Sequence, residues 1–257
     1  MRQGSSKSVL SLRDLTIGYD GRIVMENINF DVKKGEIISI LGQSGCGKST
    51  LLKNIIGLYE PLKGSIEILG RNLNECSEAR RRVMMKKMGI TYQSGALLGS
   101  LTIAENVALP LEEHTRKSAG EIQKIVTEKL TLVGMEKFAD YMPSEISGGM
   151  KKRAGLARAL ALDPELLFFD EPSAGLDPIS SAEFDTLIKN IRNKSNATVV
   201  LVTHELDSIF SISDRVVVLD KTIKTIADIG NPYDLRINSK SEFVRRLLGR
   251  NNLKRQE

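Results

Sequence analysis

The sequence predicts an α/β fold: a parallel sheet covered by helices, an antiparallel β part and an inserted helical lobe. Three observations carry this. The first is a set of unbroken apolar runs too short for most helices: IISIL (37–41), LLFF (166–169), TVVLV (198–202) and RVVVL (215–219). Runs that are continuous rather than alternating suit strands buried on both faces, as in a helix-covered parallel sheet. The second is that LSLRDLTI and MENINFDV alternate, and that GSIEILG (64–70) is bracketed by glycines. These read as antiparallel strands with one exposed face. The third is a change of pattern between about 94 and 160, where no buried-type strand run occurs. There IQKIVTEKLTLVG (122–134) and MKKRAGLARALAL space their apolar residues helically. The expected organisation is a single domain over 8–245, with a core of about 8–93 and 161–232 and a helical subdomain of about 94–160. A C-terminal helix and a basic tail follow over 233–257.

Composition narrows the class. With 41% hydrophobic residues in 257, a sizeable core is expected and global disorder is not. The two cysteines, Cys46 and Cys76, show neither CxxC nor metal-ligand spacing, which suits a reducing compartment. No apolar run reaches the roughly 18–20 residues that span a bilayer, and the start, MRQGSSKSVLSL, lacks a signal-peptide core. The expectation is a chain that is neither a channel nor exported. Its net charge is +5, with the basic residues clustered in EARRRVMMKKMG (78–89), MKKR (150–153) and RRLLGRNNLKR (245–255). Solvated faces explain these best, then a membrane-proximal surface. Nucleic acid is disfavoured, because aromatics are 5% of residues, Trp is absent and no DNA-reading pattern occurs.

The strongest motif is GQSGCGKST: Gly42, Gln43, Ser44, Gly45, Cys46, Gly47, Lys48, Ser49, Thr50. It fits G-x-x-x-x-G-K-[ST], follows the strand run IISIL and opens the helical run LLKNIIGL, which is the context this phosphate loop requires. Its glycines let backbone N–H groups wrap phosphates, Lys48 adds a charge at the β/γ-phosphates, and Ser49 offers an oxygen to Mg²⁺. Nucleotide binding follows; the motif alone does not separate kinase, GTPase, helicase and transport ATPase. The guanine-reading N-K-x-D is absent. Tyr19, just after an early strand, is placed either to stack on a base or to pack locally in its turn.

LLFFDEP puts Asp170 and Glu171 at the C-terminal end of a buried strand, the edge where open α/β sheets bind ligands. Asp170 is read as a Mg²⁺ holder and Glu171 as the group that orients or deprotonates attacking water, which favours hydrolysis over transfer. His204 follows the strand run VVLVT at the same edge and can donate to charge developing on the γ-phosphate. The other histidine, His114, reads as a surface residue. Gln93 in GITYQSG closes a strand-like run, where its amide could serve Mg²⁺, the water or nucleotide sensing.

Taken in order along the chain, these elements resemble the ATP-binding-cassette ATPases. Tyr19 is similar to the family's adenine-stacking aromatic, Gly42–Thr50 to its Walker A loop and Gln93 to its Q-loop. ISGGM (146–150) resembles the signature, LLFFDE the Walker B strand with its catalytic glutamate, SAGLD (173–177) the D-loop, and His204 the switch histidine. The resemblance implies a P-loop fold with a RecA-like parallel core. It also implies ATP and Mg²⁺ as ligands, and a head-to-tail dimer of two copies. In that dimer Ser147, Gly148 and Gly149 form a second anion site at a helix start, aimed at the nucleotide held by the other copy, with Asp177 near the seam. No arginine finger is evident, so such a second source of positive potential is expected. One departure stands out: the usual signature ends in glutamine, and Met150 has no amide.

An isolated cassette works through partners, here integral-membrane permease subunits. The segment GALLGSLTIAENVALPLEEHT (95–115), with Leu97, Leu98 and Leu101, lies where that contact belongs, unless these leucines only seal the lobes. SGGM with its basic, alanine-rich helix, together with ENVALPLEEHT, resembles the ATPases of Mla/MCE phospholipid transporters. That narrower resemblance implies an MCE-domain lipid-binding protein, a small cytoplasmic regulator in some systems, and a place on the inner face of the cytoplasmic membrane. The alternatives are the ATPase of a small-solute importer or of lipoprotein release, a poorly hydrolysing regulatory subunit, and a soluble cassette acting on ribosomes or DNA.

Overall fold

The computed structural model describes residues 8–19 and 21–249. In chain order the elements begin with β1 (Ser8–Tyr19), β2 (Arg22–Lys33), β3 (Ile37–Gly42), α1 (Lys48–Ile55), β4 (Lys63–Ile68), β5 (Arg71–Asn72) and α2 (Glu78–Met85). Next come β6 (Met88–Thr91), α3 (Ile103–His114), α4 (Ala119–Leu132), α5 (Gly148–Ala159), β7 (Leu166–Asp170) and α6 (Pro178–Ser195). The chain continues through β8 (Thr198–Val202), α7 (Leu206–Ile212), β9 (Arg215–Asp220), β10 (Thr225–Gly230), α8 (Pro232–Asn238) and α9 (Glu242–Gly249). Of the described residues, those up to Met84 and from Thr198 form one compact unit, and Met85–Ala197 forms another.

In the first unit β3 lies between β8 and β9, parallel to both, and β10 closes antiparallel on β9. Ile37, Ile38, Ile40 and Leu41 of β3 and all four apolar residues of β8 are buried, as the unbroken runs predict. Ser39 and Thr198 are the buried polar residues of these two strands, and the Ser39 hydroxyl meets that of Ser213 at 2.5 Å. A second sheet runs β2-β1-β4-β5. There β2 alternates as expected from Ile28 through Phe30 to Val32, all buried; Met25 is buried too, three residues before Ile28, across a register shift where Asn27 takes φ 53°.

The same expectation fails for β1, which is buried along most of its length. It is flanked antiparallel by β2 and β4, and its register shifts between Leu12 and Leu15, where Asp14 takes φ 47°. The irregularity re-phases the strand, so Leu10 and Leu12 before it and Leu15 and Ile17 after it all point inward. The expected single C-terminal helix is two, α8 and α9, separated at Ser239. Val244 and Leu248 of α9 and Leu235 of α8 seal a core cluster with Leu41, Ile209, Val216 and Val218. The basic tail beyond residue 249 lies outside the described residues.

The second unit pairs β6 parallel to β7, with Thr91 opposite Phe169. No strand is described between 92 and 165, matching the expected helical stretch. Two capping boxes start its helices: Thr102 with Glu105 for α3, and Ser118 with Glu121 for α4. Ile103, Val107 and Leu111 bury one face of α3, although Pro110 interrupts its hydrogen bonding. Asn106 is fully buried and holds the preceding turn, accepting from the Leu98 amide at 2.8 Å and donating to the carbonyls of Leu98, Leu101 and Thr102. Of Leu97, Leu98 and Leu101, Leu98 is exposed, while the other two are half-buried.

Candidate functional site

The phosphate loop is set by β3 ending at Gly42, where a Cβ would come within 2.5 Å of Cys46 Sγ and 2.8 Å of the Leu219 carbonyl oxygen. Gly47, at φ 101°, is the N-cap of α1, and a Cβ there would meet Val24 Cγ1 at 2.6 Å. Only glycine gives that turn its backbone angle and its clearance. No side chain caps α1 and no acid sits in its first turn, so no side chain competes for its leading amides, an arrangement suited to an anion. Lys48 is buried, and its Nζ donates to Gly42 O at 2.8 Å and Gln43 O at 3.3 Å, which puts the ammonium over the loop. Burial pushes the neighbouring Cys46 thiol up, so it is an inert small hydrophobe here rather than a nucleophile.

Two further predicted residues lie in the same unit. Ile40 of β3 is in register with Val202 of β8, and the Thr203 amide bonds Ile40 O at 3.3 Å. Two residues beyond that rung the chain reaches Gly42 on one strand and His204 on the other. The loop and the histidine thus leave the sheet at one edge. His204 is exposed, with Nε2 3.6 Å from a Glu205 carboxylate oxygen. Tyr19 is 55% exposed at the tip of the β1–β2 hairpin, opposite Arg22. Val24, the residue over Gly47, belongs to that hairpin, so the tyrosine is carried on the element that packs against the loop.

In the second unit the rung Thr91–Phe169 plays the corresponding part. Two residues on, the strands give Gln93 and Glu171, again at one edge, with Asp170 closing β7. Phe168 and Phe169 are fully buried and fix the strand. Glu171 has φ 49°, a left-handed backbone that costs a non-glycine residue roughly 1–2 kcal/mol. It persists because Pro172 and Ser173 are buried behind it.

α5 begins at the glycines of the predicted signature. Ser147 is its N-cap and accepts from the Met150 amide at 3.3 Å, while the Lys151 amide bonds Ser147 O. The amides of Gly148 and Gly149 come earlier in the turn, where helix geometry supplies no partner. A Cβ at Gly148 would meet nothing within 4 Å. Asp177 caps α6, accepting from the Ile179 and Ser180 amides and from the Ser180 hydroxyl at 2.6 Å. The Ser180 hydroxyl foremost, with the Ser180 amide, holds its carboxyl below the usual range.

The sequence reading missed Lys152 and Arg158. MKKR reads as a solvated basic face, yet Lys152 is buried and bonds Pro172 O and Ala174 O. Its place four residues after Gly148, on the glycine face of the helix, was the available signal. Arg158, lowered in pKa by burial, donates to Gly95 O at 3.0 Å, and Gly155 leaves room for that carbonyl. The base of the predicted Q-loop therefore rests on α5. Met150 is half-buried, and nothing else in the structure explains its replacing glutamine.

Ser49 in the first unit, and Gln93 and Asp170 in the second, each carry a hard oxygen donor of the kind Mg²⁺ prefers. Among the described residues no three His, Cys, Asp or Glu side chains cluster as a self-sufficient metal site.

A glycine-bounded phosphate loop on a parallel sheet, with carboxylates ending a buried strand, defines a P-loop nucleotide hydrolase. Residues 25–174 match the model of the ABC transporter family, and the chain belongs to that family as an ATPase cassette. It is 42% identical over 81% of its length to the "Intermembrane phospholipid transport system ATP-binding protein MlaF" of Haemophilus influenzae, covering 79% of that protein. It is 40% identical over 93% of its length to the "Probable ribonucleotide transport ATP-binding protein mkl" of Mycobacterium leprae, covering 68% of it. Among solved structures it is similar to a dimeric ATP-binding cassette in a post-hydrolysis state with ADP and Pi (30% identity, TM-score 0.79, 86% of this chain and 98% of that one). It is also similar to cbiO1 of Clostridium perfringens, part of the ABC transporter complex cbiONQ (28% identity, TM-score 0.81, 95% of each chain). No helix among the described residues is long and apolar enough to cross a membrane.

Proposed function

We propose that this chain is the ATP-hydrolysing subunit of a transporter that moves phospholipids between bacterial membranes. The observation that carries the reading is the 42% identity to a protein named for intermembrane phospholipid transport, over most of both chains. The subunit sits on the inner face of the cytoplasmic membrane through permease subunits, with an MCE-domain lipid-binding protein and a small cytoplasmic regulator as further partners. The second reading, ribonucleotide transport, is favoured by relatives at 40% identity that carry that name. Co-purification with the permease and mass spectrometry of what the complex carries decides between them. Phospholipid in stoichiometric amount is expected; bound ribonucleotides other than the ATP-site ligand would reverse the choice.

The site supports the following roles. Tyr19 stacks on adenine, the amides of residues 42–50 wrap the phosphates, and Lys48 compensates their charge. Ser49, Gln93 and Asp170 would hold Mg²⁺, which would supply positive charge against the phosphates. Glu171 accepts the proton of the attacking water, and His204 donates a hydrogen bond to the charge that develops on the leaving phosphoryl group. Ser147, Gly148 and Gly149 grip the nucleotide of a second copy, joined head to tail, with Asp177 at the seam. The open space at Gly148 and the dimeric relatives support this. Turnover per chain is expected to rise with protein concentration in the dilute range, as steady-state phosphate release would record. Constant specific activity down to monomer concentrations would remove the shared site.

A further inference from the structure

The loop after Glu171 is held by a side chain of the signature helix. Residues 172–176 leave the strained backbone of Glu171 and lead to Asp177. Within the loop, Ala174 N bonds Glu171 O at 3.2 Å and Leu176 N bonds Ser173 O at 3.0 Å. The Ser173 hydroxyl is buried and has no hydrogen-bond partner among the described residues, so it does not tie the loop down. Lys152 does. It is 8% exposed, and its Nζ donates to Pro172 O at 2.6 Å and to Ala174 O at 2.5 Å. Both bonds are charge-assisted, which makes them about twice as strong as neutral ones. On the same helix face Gly149 lies against Leu176, whose Cδ2 would be in ordinary contact, at 3.4 Å, with a Cβ at that position. Burial holds the Lys152 pKa below its usual range, with the Glu171 charge pulling the other way.

We propose that Lys152 is a positioning residue for ATP hydrolysis, fixing the 172–176 loop and through it the backbone that aims Glu171. This rests on Glu171 being the general base. It also makes α5 a mechanical link: Gly148 and Gly149 lie at its start, the loop after Glu171 is tied one turn along, and Arg158 with Gly155 carries the base of the Q-loop two turns further. A change at the anion-gripping end of the helix is thereby transmitted to the carboxylate as a shift of a rigid element.

The test uses the full chain in the assembly that shows its ATPase activity. Lys152→Met keeps the buried volume and removes the donors. Its kcat is expected to fall about ten- to a hundredfold, the cost of a misplaced catalytic group, while KM for ATP stays near the parent's. Amide exchange in 172–177 is expected to speed up. Lys152→Gln, whose amide keeps two donors, is expected to recover part of both. An unchanged kcat with unchanged exchange would overturn the proposal. So would a Lys152→Met loss of kcat matched by an equal loss of nucleotide affinity, or a Lys152→Gln variant no better than Lys152→Met. Glu171→Gln is run in parallel. Parental turnover in that variant would fell the reading of Glu171 itself, and the exchange rates would still judge whether Lys152 holds the loop.

Discussion

Glu171→Gln is expected to bind ATP as the parent does and to hydrolyse it about 10²–10⁴-fold more slowly, the range a positioned general base supplies. In barrier terms that is about 3–5 kcal/mol. The exchange is close to isosteric. It preserves the backbone at φ 49° and the loop that Lys152 holds, and it removes only the ability to take a proton from water. Nucleotide affinity depends on the phosphate loop, which the substitution does not alter. The two observables therefore separate: single-turnover phosphate release collapses, while retention of a fluorescent ATP analogue persists. If the shared dimer forms, the stalled variant accumulates as a closed pair, visible as a doubled mass in the presence of ATP. Hydrolysis at the parental rate would take Glu171 out of its role and leave the strain at its backbone without a function.

Much of this was legible in the sequence, because the residues concerned are governed by local or strongly periodic rules. β3, β8 and β9 fall where continuous apolar runs place them, since a strand covered on both faces leaves no room for alternation. Gly42, Gly47 and Lys48 could be located because only one loop geometry tolerates that spacing. β1 was misjudged because one irregularity near Asp14 shifts the phase of a whole strand, and no residue type announces it. Ser239 breaks the C-terminal segment into two helices for a tertiary reason: α8 and α9 must both reach one core cluster. Lys152 was hidden by composition. Its neighbour Lys151 is half-buried and Arg153 pairs with Glu183 at 3.0 Å, so three adjacent cations have three different environments. A charge count averages over them, while the helical period, applied from Gly148, distinguishes them.

Lys48→Ala is expected to abolish productive ATP binding while leaving the fold in place. The ammonium lies over the phosphate loop, pinned by the carbonyls of Gly42 and Gln43, and no other cation in that loop can replace it. Hydrogen bonds to charged groups contribute about 1.5–3 kcal/mol each, so losing one or two such contacts with phosphate lowers affinity by roughly 10- to 10³-fold or more. The loop's shape should survive, because it is set by Gly42 and Gly47 against Cys46, Leu219 and Val24 rather than by the lysine. An alanine early in a helix also costs nothing in propensity. Titration with a fluorescent ATP analogue, alongside a thermal melt, reads both halves: a large rise in Kd with a Tm close to the parent's. A melt that falls together with affinity would mean that Lys48 holds the loop's structure through the two carbonyls it bonds. Parental turnover would mean that the phosphates are gripped elsewhere.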